Sequence, residues 1–190
     1  MNGQDKHADR RQPSGKRRDP IPAGHQRLRM LLAYDGTAFD GWQSQPHGRT
    51  VQDVLEKTVA EIVGKRVVVY GAGRTDARVH ALGQVAHADV PEGSWTEDAW
   101  RGALNARLPS ALRVLKADWA KSGFHSRFSA KGKEYEYRIW NHRVMLPTEI
   151  GRAWHVPQSM DEELMRSAMQ LLGGEHDFRG FSARRHAGEE

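Results

Sequence analysis

Val67-Val68-Val69-Tyr70-Gly71-Ala72-Gly73-Arg74-Thr75-Asp76-Ala77-Arg78-Val79-His80-Ala81 runs from the most strand-like segment of the chain into its most chemically loaded loop. The β-branched run ending in Tyr70 reads as a strand. Gly71 and Gly73 let the backbone turn sharply at little steric cost. A base and an acid then follow, two residues apart. In an extended or open-turn segment residues i and i+2 project to the same side, so Arg74 is expected to reach Asp76. A guanidinium that close keeps a partly buried carboxylate ionised and holds its rotamer, as a carboxylate nucleophile requires. Taken alone, Arg-x-Asp in a loop is more often a structural ion pair, and the surrounding residues have to decide.

Before this stretch, the apolar positions thicken from Arg27 to Tyr34 into a first strand. Asp35 to Arg49, with Gly36, Gly41, Pro46 and Gly48, is then a long loop, and Trp42 within it either caps the core or contacts a ligand. Thr50 and Asp53 form a capping pair. Val51, Val54, Leu55, Val59, Ile62 and Val63 then share one helical face until Gly64 ends the helix. Lys65 to Tyr70 is the second strand and Gln84 to Val90 alternates as a third. Ser94-Trp95-Thr96-Glu97 opens another helix, with Ala99, Trp100, Ala103, Leu104 and Leu108 as its buried stripe and Pro109 as its stop. Leu112 to Trp119 alternates as a fourth strand. The order strand, helix, strand, strand, helix, strand predicts an α+β chain with a ferredoxin-like βαββαβ unit over residues 27–120.

Residues 121–190 are expected to start a second α/β unit and leave it incomplete. Lys131 to Trp140 alternates as a strand, with Tyr135, Tyr137 and Ile139 on one face; a helix from about Asp161 to Leu172 presents Leu164, Met165, Ala168 and Leu172. Residues 1–26, with Pro13, Pro20 and Pro22, have almost nothing to bury and are expected to be a disordered basic tail. That tail carries six Lys/Arg against three Asp, +3 of the chain's formal +5, so the remainder is only mildly basic. The excess favours an anionic partner without identifying one. With no cysteine among 190 residues, disulfides, thiolate nucleophiles and Cys-ligated zinc are excluded, and a reducing cytoplasm is the simplest home. No apolar run approaches the ~20 residues that span a bilayer. His80, His87, His125 and His155 lack any metal-ligand spacing, so no metal is expected.

The words Gly73-Arg74-Thr75-Asp76-Ala77, Val79-His80-Ala81 resemble the catalytic loop of the pseudouridine synthases, in the tRNA pseudouridine synthase A family. Further words fall in that family's order. They are Tyr34-Asp35-Gly36, Gly41-Trp42-Gln43, Val51-Gln52, Gly83-Gln84-Val85-Ala86-His87 and Asn105-Ala106-Arg107-Leu108-Pro109. Phe124-His125-Ser126-Arg127-Phe128-Ser129-Ala130, Tyr135-Glu136-Tyr137 and Asp177-Phe178 complete the set, which covers residues 28 to 181. The resemblance implies two ferredoxin-like halves sharing one sheet, of which this chain lacks the C-terminal part. Arg78 departs from it, standing where the family usually has glycine. If the position needs a positive φ, arginine costs on the order of 1 to 2 kcal/mol there; otherwise it adds a harmless cation beside the site.

What the resemblance implies for chemistry is isomerisation of uridine to pseudouridine at positions 38 to 40 of the tRNA anticodon arm, without a cofactor. Asp76 would be the nucleophile. Arg74 would hold Asp76 and fill the space left by a flipped base, whose extraction costs a few kcal/mol. Tyr135 matches the active-site tyrosine and would bind the uracil, stacking for roughly 1 to 3 kcal/mol and serving proton transfer at C5. Phe124, His125, Arg127 and Phe128 match the RNA-contacting segment; by composition alone they read as a strand entry with two core phenylalanines. The partner is tRNA, and a homodimer is implied by the resemblance alone. The rival reading is a catalytically inert remnant that still binds RNA. An RNA-recognition motif shares the element order, but its third strand carries aromatics, and Gln84 to Val90 has none.

Overall fold

The alternation of apolar residues in the first strand organises the fold in the computed structural model, which describes residues 20–93, 95–121 and 123–181. Two compact units divide between Glu134 and Tyr135. In the first, β1 (His25–Tyr34) buries Leu28, Met30, Leu32 and Tyr34 on one face, as the period of two requires. Antiparallel partners flank it: β3 (Ala81–Pro91) with Leu28 opposite Ala88, and β4 (Leu112–Trp119) with Leu28 opposite Trp119. The three-residue β2 (Val69–Gly71) pairs antiparallel with β3, giving the order β2-β3-β1-β4. The predicted element order is observed.

Helix α1 (Val51–Val63) starts at Thr50, whose side chain accepts a hydrogen bond from the Asp53 amide, and ends at Gly64 with φ 74°. That left-handed C-cap is where glycine belongs. Helix α2 (Glu97–Arg107) starts at Thr96 and buries Trp100 and Leu104, with Leu108 just beyond; the Ser94 start signal lies outside the described residues. Val51, Leu55 and Val59 of α1 join Trp100 and Leu104 of α2 and the inward residues of all four strands in one core. Each fully buried aliphatic there stabilises the unit by about 1.5 to 3 kcal/mol. Trp42 settles as core, 3% exposed.

The opposite sheet face carries charge. Arg27, 2% exposed, holds Asp89 through two hydrogen bonds of 2.7 and 2.8 Å and donates another to the Phe124 carbonyl. Arg29 holds Asp118 in the same two-pronged way at a more exposed place. Because Arg27 and His87 both bind the segment after β4, that segment belongs to the first unit, which therefore runs to Glu134 rather than stopping near 120.

The second unit holds a two-stranded parallel pair, β5 (Ile139–Trp140) with β6 (Trp154–His155), and α3 (Glu162–Gln170), capped by Asp161. The strand expected over Lys131 to Trp140 forms only at its last two residues. Tyr135 and Tyr137, 66% and 91% exposed, have no neighbouring strand within the unit to pack on, and alternation without a partner makes no sheet. Most of the basic tail, residues 1–19, and the end of the chain, 182–190, lie outside the described residues; His25 and Gln26, assigned to the tail, are strand. No described helix is long and apolar enough to cross a membrane.

Candidate active site

β2 and β3 form a hairpin, and the loop that joins them carries Arg74, Thr75, Asp76 and Arg78. Its neck is closed by Ala72, whose amide donates to the Val85 carbonyl at 2.8 Å, and by the Gln84 side chain, which donates to the Gly73 carbonyl at 2.7 Å. Its tip is fastened to the loop that follows β1. The Trp42 amide donates to the Thr75 carbonyl at 2.9 Å, and the Tyr34 and Thr75 hydroxyls share a bond of 2.9 Å. Burial raises the Tyr34 hydroxyl above its ordinary range against the opposing pull of its hydrogen bonds with Thr75 and Gln84, so it stays a hydroxyl at neutral pH.

Two glycines make this fastening possible. A Cβ on Gly36 would lie 2.3 Å from the Val79 carbonyl oxygen, and one on Gly41, at φ 88°, would lie 2.9 Å from the Thr75 oxygen. The words Tyr34-Asp35-Gly36 and Gly41-Trp42 are thus the cradle of the Asp76 loop. Nδ1 of His80 lies 3.3 Å from both the Gly36 amide and Asp35 Oδ1, within reach of each.

Within the loop the Val79 amide donates to the Asp76 carbonyl at 3.2 Å, closing a turn through Ala77 and Arg78. That turn departs from the extended geometry behind the expected Arg74–Asp76 contact. Both side chains are exposed, and no ion pair joins them among the described residues. Arg78 has φ 69°, the only positive value outside glycine among the described residues. The conditional expectation for this position resolves to its costly branch, about 1 to 2 kcal/mol of backbone strain.

The four candidate RNA-contacting residues gather on the far face of the hairpin, but they are not equivalent. His125 is buried, with its ring centroid 4.7 Å from that of His87 and 4.5 Å from that of Phe128. Phe124 is half-buried under the Arg29 guanidinium, 5.5 Å from its ring centre. Arg127 and Phe128 are exposed. Neither the strand entry nor the pair of core phenylalanines forms. Beneath them His87 is 1% exposed and accepts the Ser126 amide on Nδ1 at 3.2 Å; the Ser126 hydroxyl, 2.9 Å from the same nitrogen, donates to the Tyr70 carbonyl at 2.8 Å. An imidazolium would set N–H against N–H there. Burial first, then the Arg27 charge, pushes the His87 pKa down to about 3, so this is a neutral structural histidine.

Lys133 was not anticipated from the sequence. A Cβ on Gly73 would sit 2.8 Å from its Nζ, which places an exposed ammonium against the neck of the loop. Only the Lys131-Gly132-Lys133 charge pair signalled it. Tyr135 lies in the second unit and is exposed. Among the described residues no group of three or more His, Asp or Glu side chains is placed to hold a metal ion.

Residues 30–129 match the family model described as tRNA pseudouridine synthase. The chain is 48% identical over 160 residues to tRNA pseudouridine synthase A of Akkermansia muciniphila, an alignment covering 84% of this chain and 60% of that one. It is 49% identical over 156 residues to the protein of the same name from Afipia carboxidovorans, covering 82% and 63%. For Paramagnetospirillum magneticum the figures are 46% over 158 residues, covering 83% and 61%. The chain therefore spans about three fifths of the length of these relatives.

Proposed function

The chain belongs to the tRNA pseudouridine synthase family, and on that premise we propose that it isomerises uridine to pseudouridine in tRNA, with Asp76 as nucleophile. The observation that carries the reading is the Asp76 loop itself. An exposed carboxylate sits between Thr75, fastened to Tyr34 and Trp42, and a turn closed at Val79. A group fixed by backbone and open to solvent is suited to a macromolecular substrate, since the geometry is set before binding.

The isomerisation breaks the N1–C1′ bond and forms C5–C1′; the C5 proton leaves and N1 gains one, so no oxidant, metal or cofactor is needed. Asp76 supplies the attacking carboxylate. Arg74, exposed two residues earlier and with no ion pair to Asp76 among the described residues, meets the RNA and fills the space of an extruded base. Arg127 and Phe128 offer a cation and an aromatic face to the same strand, which suits phosphate and base together. His125, buried against the Phe128 ring, supports it from beneath, and Phe124, half-buried, keeps an edge open to RNA. Tyr135 is assigned the uracil on the family resemblance.

The anticodon arm, positions 38 to 40, is the proposed target, cytoplasm the proposed compartment and a homodimer the proposed assembly, all on the same ground. The sheet order β2-β3-β1-β4, antiparallel throughout, supports reading the first unit as ferredoxin-like, while the second is read as the start of another such unit on the family resemblance alone. Mapping pseudouridine in a tRNA transcript incubated with the chain tests the target. Product at positions 38 to 40 is expected, and product confined to other positions overturns that assignment. Salt-sensitive binding without any product favours the inert RNA-binding reading.

A further inference from the structure

We propose that Arg78 binds a backbone phosphate of the RNA substrate beside the Asp76 carboxylate; the inference rests on the tRNA reading above. Its backbone conformation is imposed from both sides. The Arg78 amide donates to the Phe39 carbonyl at 3.4 Å, the Asp76 to Val79 hydrogen bond closes the turn across it, and a Cβ on Gly36 would approach the Arg78 carbonyl carbon to 2.6 Å. The two backbone hydrogen bonds and the close approach of Gly36 thus hold the turn against the loop after β1. A long β-carbon-bearing cation held at φ 69° is a local cost that no side-chain hydrogen bond or ion pair among the described residues offsets.

The side chain is exposed, and among the described residues its guanidinium has neither a hydrogen bond nor an ion pair. Arg27, Arg29 and Arg49 show the contrast, since each is held by a carboxylate. Arg74 and Lys133 share the character of Arg78: exposed, on or against the same loop, and without an acidic partner among the described residues. Three exposed cations thus sit on or against the loop that carries Asp76. Such a rim repels no polyanion and offers a planar two-pronged donor, whose geometry matches a phosphate. An RNA strand threading past Asp76 brings its phosphates within reach of this loop. Arg78, two residues from the reacting group, is then a residue by which this chain grips its substrate.

The test measures binding of an unmodified tRNA transcript against salt concentration for wild type, Arg78→Gly, Arg78→Asn and Arg78→Lys. Glycine and asparagine both tolerate positive φ and lack the charge; lysine keeps the charge. The slope of log affinity against log salt is expected to shrink by about 0.7 to 0.9 in the first two and to be retained in the third. Affinity at moderate salt should fall roughly three- to tenfold, with thermal stability unchanged or higher for Arg78→Gly, which separates a lost contact from a damaged fold. A steep wild-type slope that persists unchanged in both neutral variants overturns the inference. Wild type with no salt-sensitive binding overturns the tRNA reading itself, and this inference with it.

Discussion

The hydroxyls of Tyr34 and Thr75, 2.9 Å apart, tie the central strand of the sheet to the residue that precedes Asp76. Tyr34 is core, 5% exposed, and Thr75 is the last anchored position before the carboxylate. Removing the tyrosine hydroxyl by Tyr34→Phe should cost about 1 kcal/mol in urea unfolding, the ordinary worth of one hydrogen bond. With Asp76 in its proposed role, turnover should suffer more, falling about tenfold, because a loosened Thr75 lets the Asp76 carboxylate drift. Equal turnover in the two proteins would show that this tether does not position the carboxylate.

Gly36 tests the cradle from the other side. A methyl group there meets the Val79 carbonyl at 2.3 Å, and backbone does not yield as a flexible side chain does. Gly36→Ala should destabilise the first unit by about 1 to 3 kcal/mol, read as a lower urea midpoint. An alanine variant as stable as wild type would mean that the two loops do not pack as described.

Two ion pairs on one sheet face are predicted to differ in worth because one is buried. Asp89→Asn strips the partner from an Arg27 that is 2% exposed, and should cost about 3 kcal/mol or more. Asp118→Asn strips Arg29, whose side chain is 44% exposed, and should cost less than about 1 kcal/mol. Urea unfolding of the two variants decides it, and equal losses would contradict the burial argument.

His87 makes stability depend on pH. Its ordinary pKa of 6.5 applies in the unfolded chain, and burial with the Arg27 charge lowers it to about 3 in the fold. Between those values the unfolded chain takes up a proton that the native protein refuses. Stability from this source is full above about pH 6.5 and drains as the pH falls towards 3, by up to about 1.4 kcal/mol per pH unit. His87→Asn, which keeps an acceptor near Nδ1 but cannot protonate, should flatten the profile of urea midpoint against pH in that window. Parallel profiles for the two proteins would refute a buried neutral His87.

How far the residues announced this structure depends on whether the deciding force was local. The helix from Val51 to Val63 was legible because its Thr50 cap, apolar stripe and Gly64 stop are all local signals that agree. Leu112–Trp119 was legible because its alternation finds β1 beside it. The same alternation in Lys131–Trp140 misled, since a period of two becomes a strand only where a neighbour accepts its hydrogen bonds. Arg74 and Asp76 failed to pair for a related reason. The i, i+2 rule belongs to extended chain, and the Asp76–Val79 turn departs from it. The cradle of Gly36, Gly41 and Thr75, and the burial of His125 under Phe128, are contacts between distant segments that no window of sequence contains. Asp76 is singled out in the sequence by its neighbours in the motif, whereas Lys133, outside the motif, carries no signal beyond its charge pair with Lys131.

The central claim is that Asp76 attacks and that C5 of the uridine then joins the sugar, which expels the C5 hydrogen. The direct measurement is tritium release from tRNA labelled at uridine C5, with wild type and Asp76→Asn compared at equal tRNA occupancy. The account predicts release by wild type and only background with Asp76→Asn, while tRNA binding is kept. Release by Asp76→Asn at the wild-type rate, or none from wild type bound to tRNA, would contradict it.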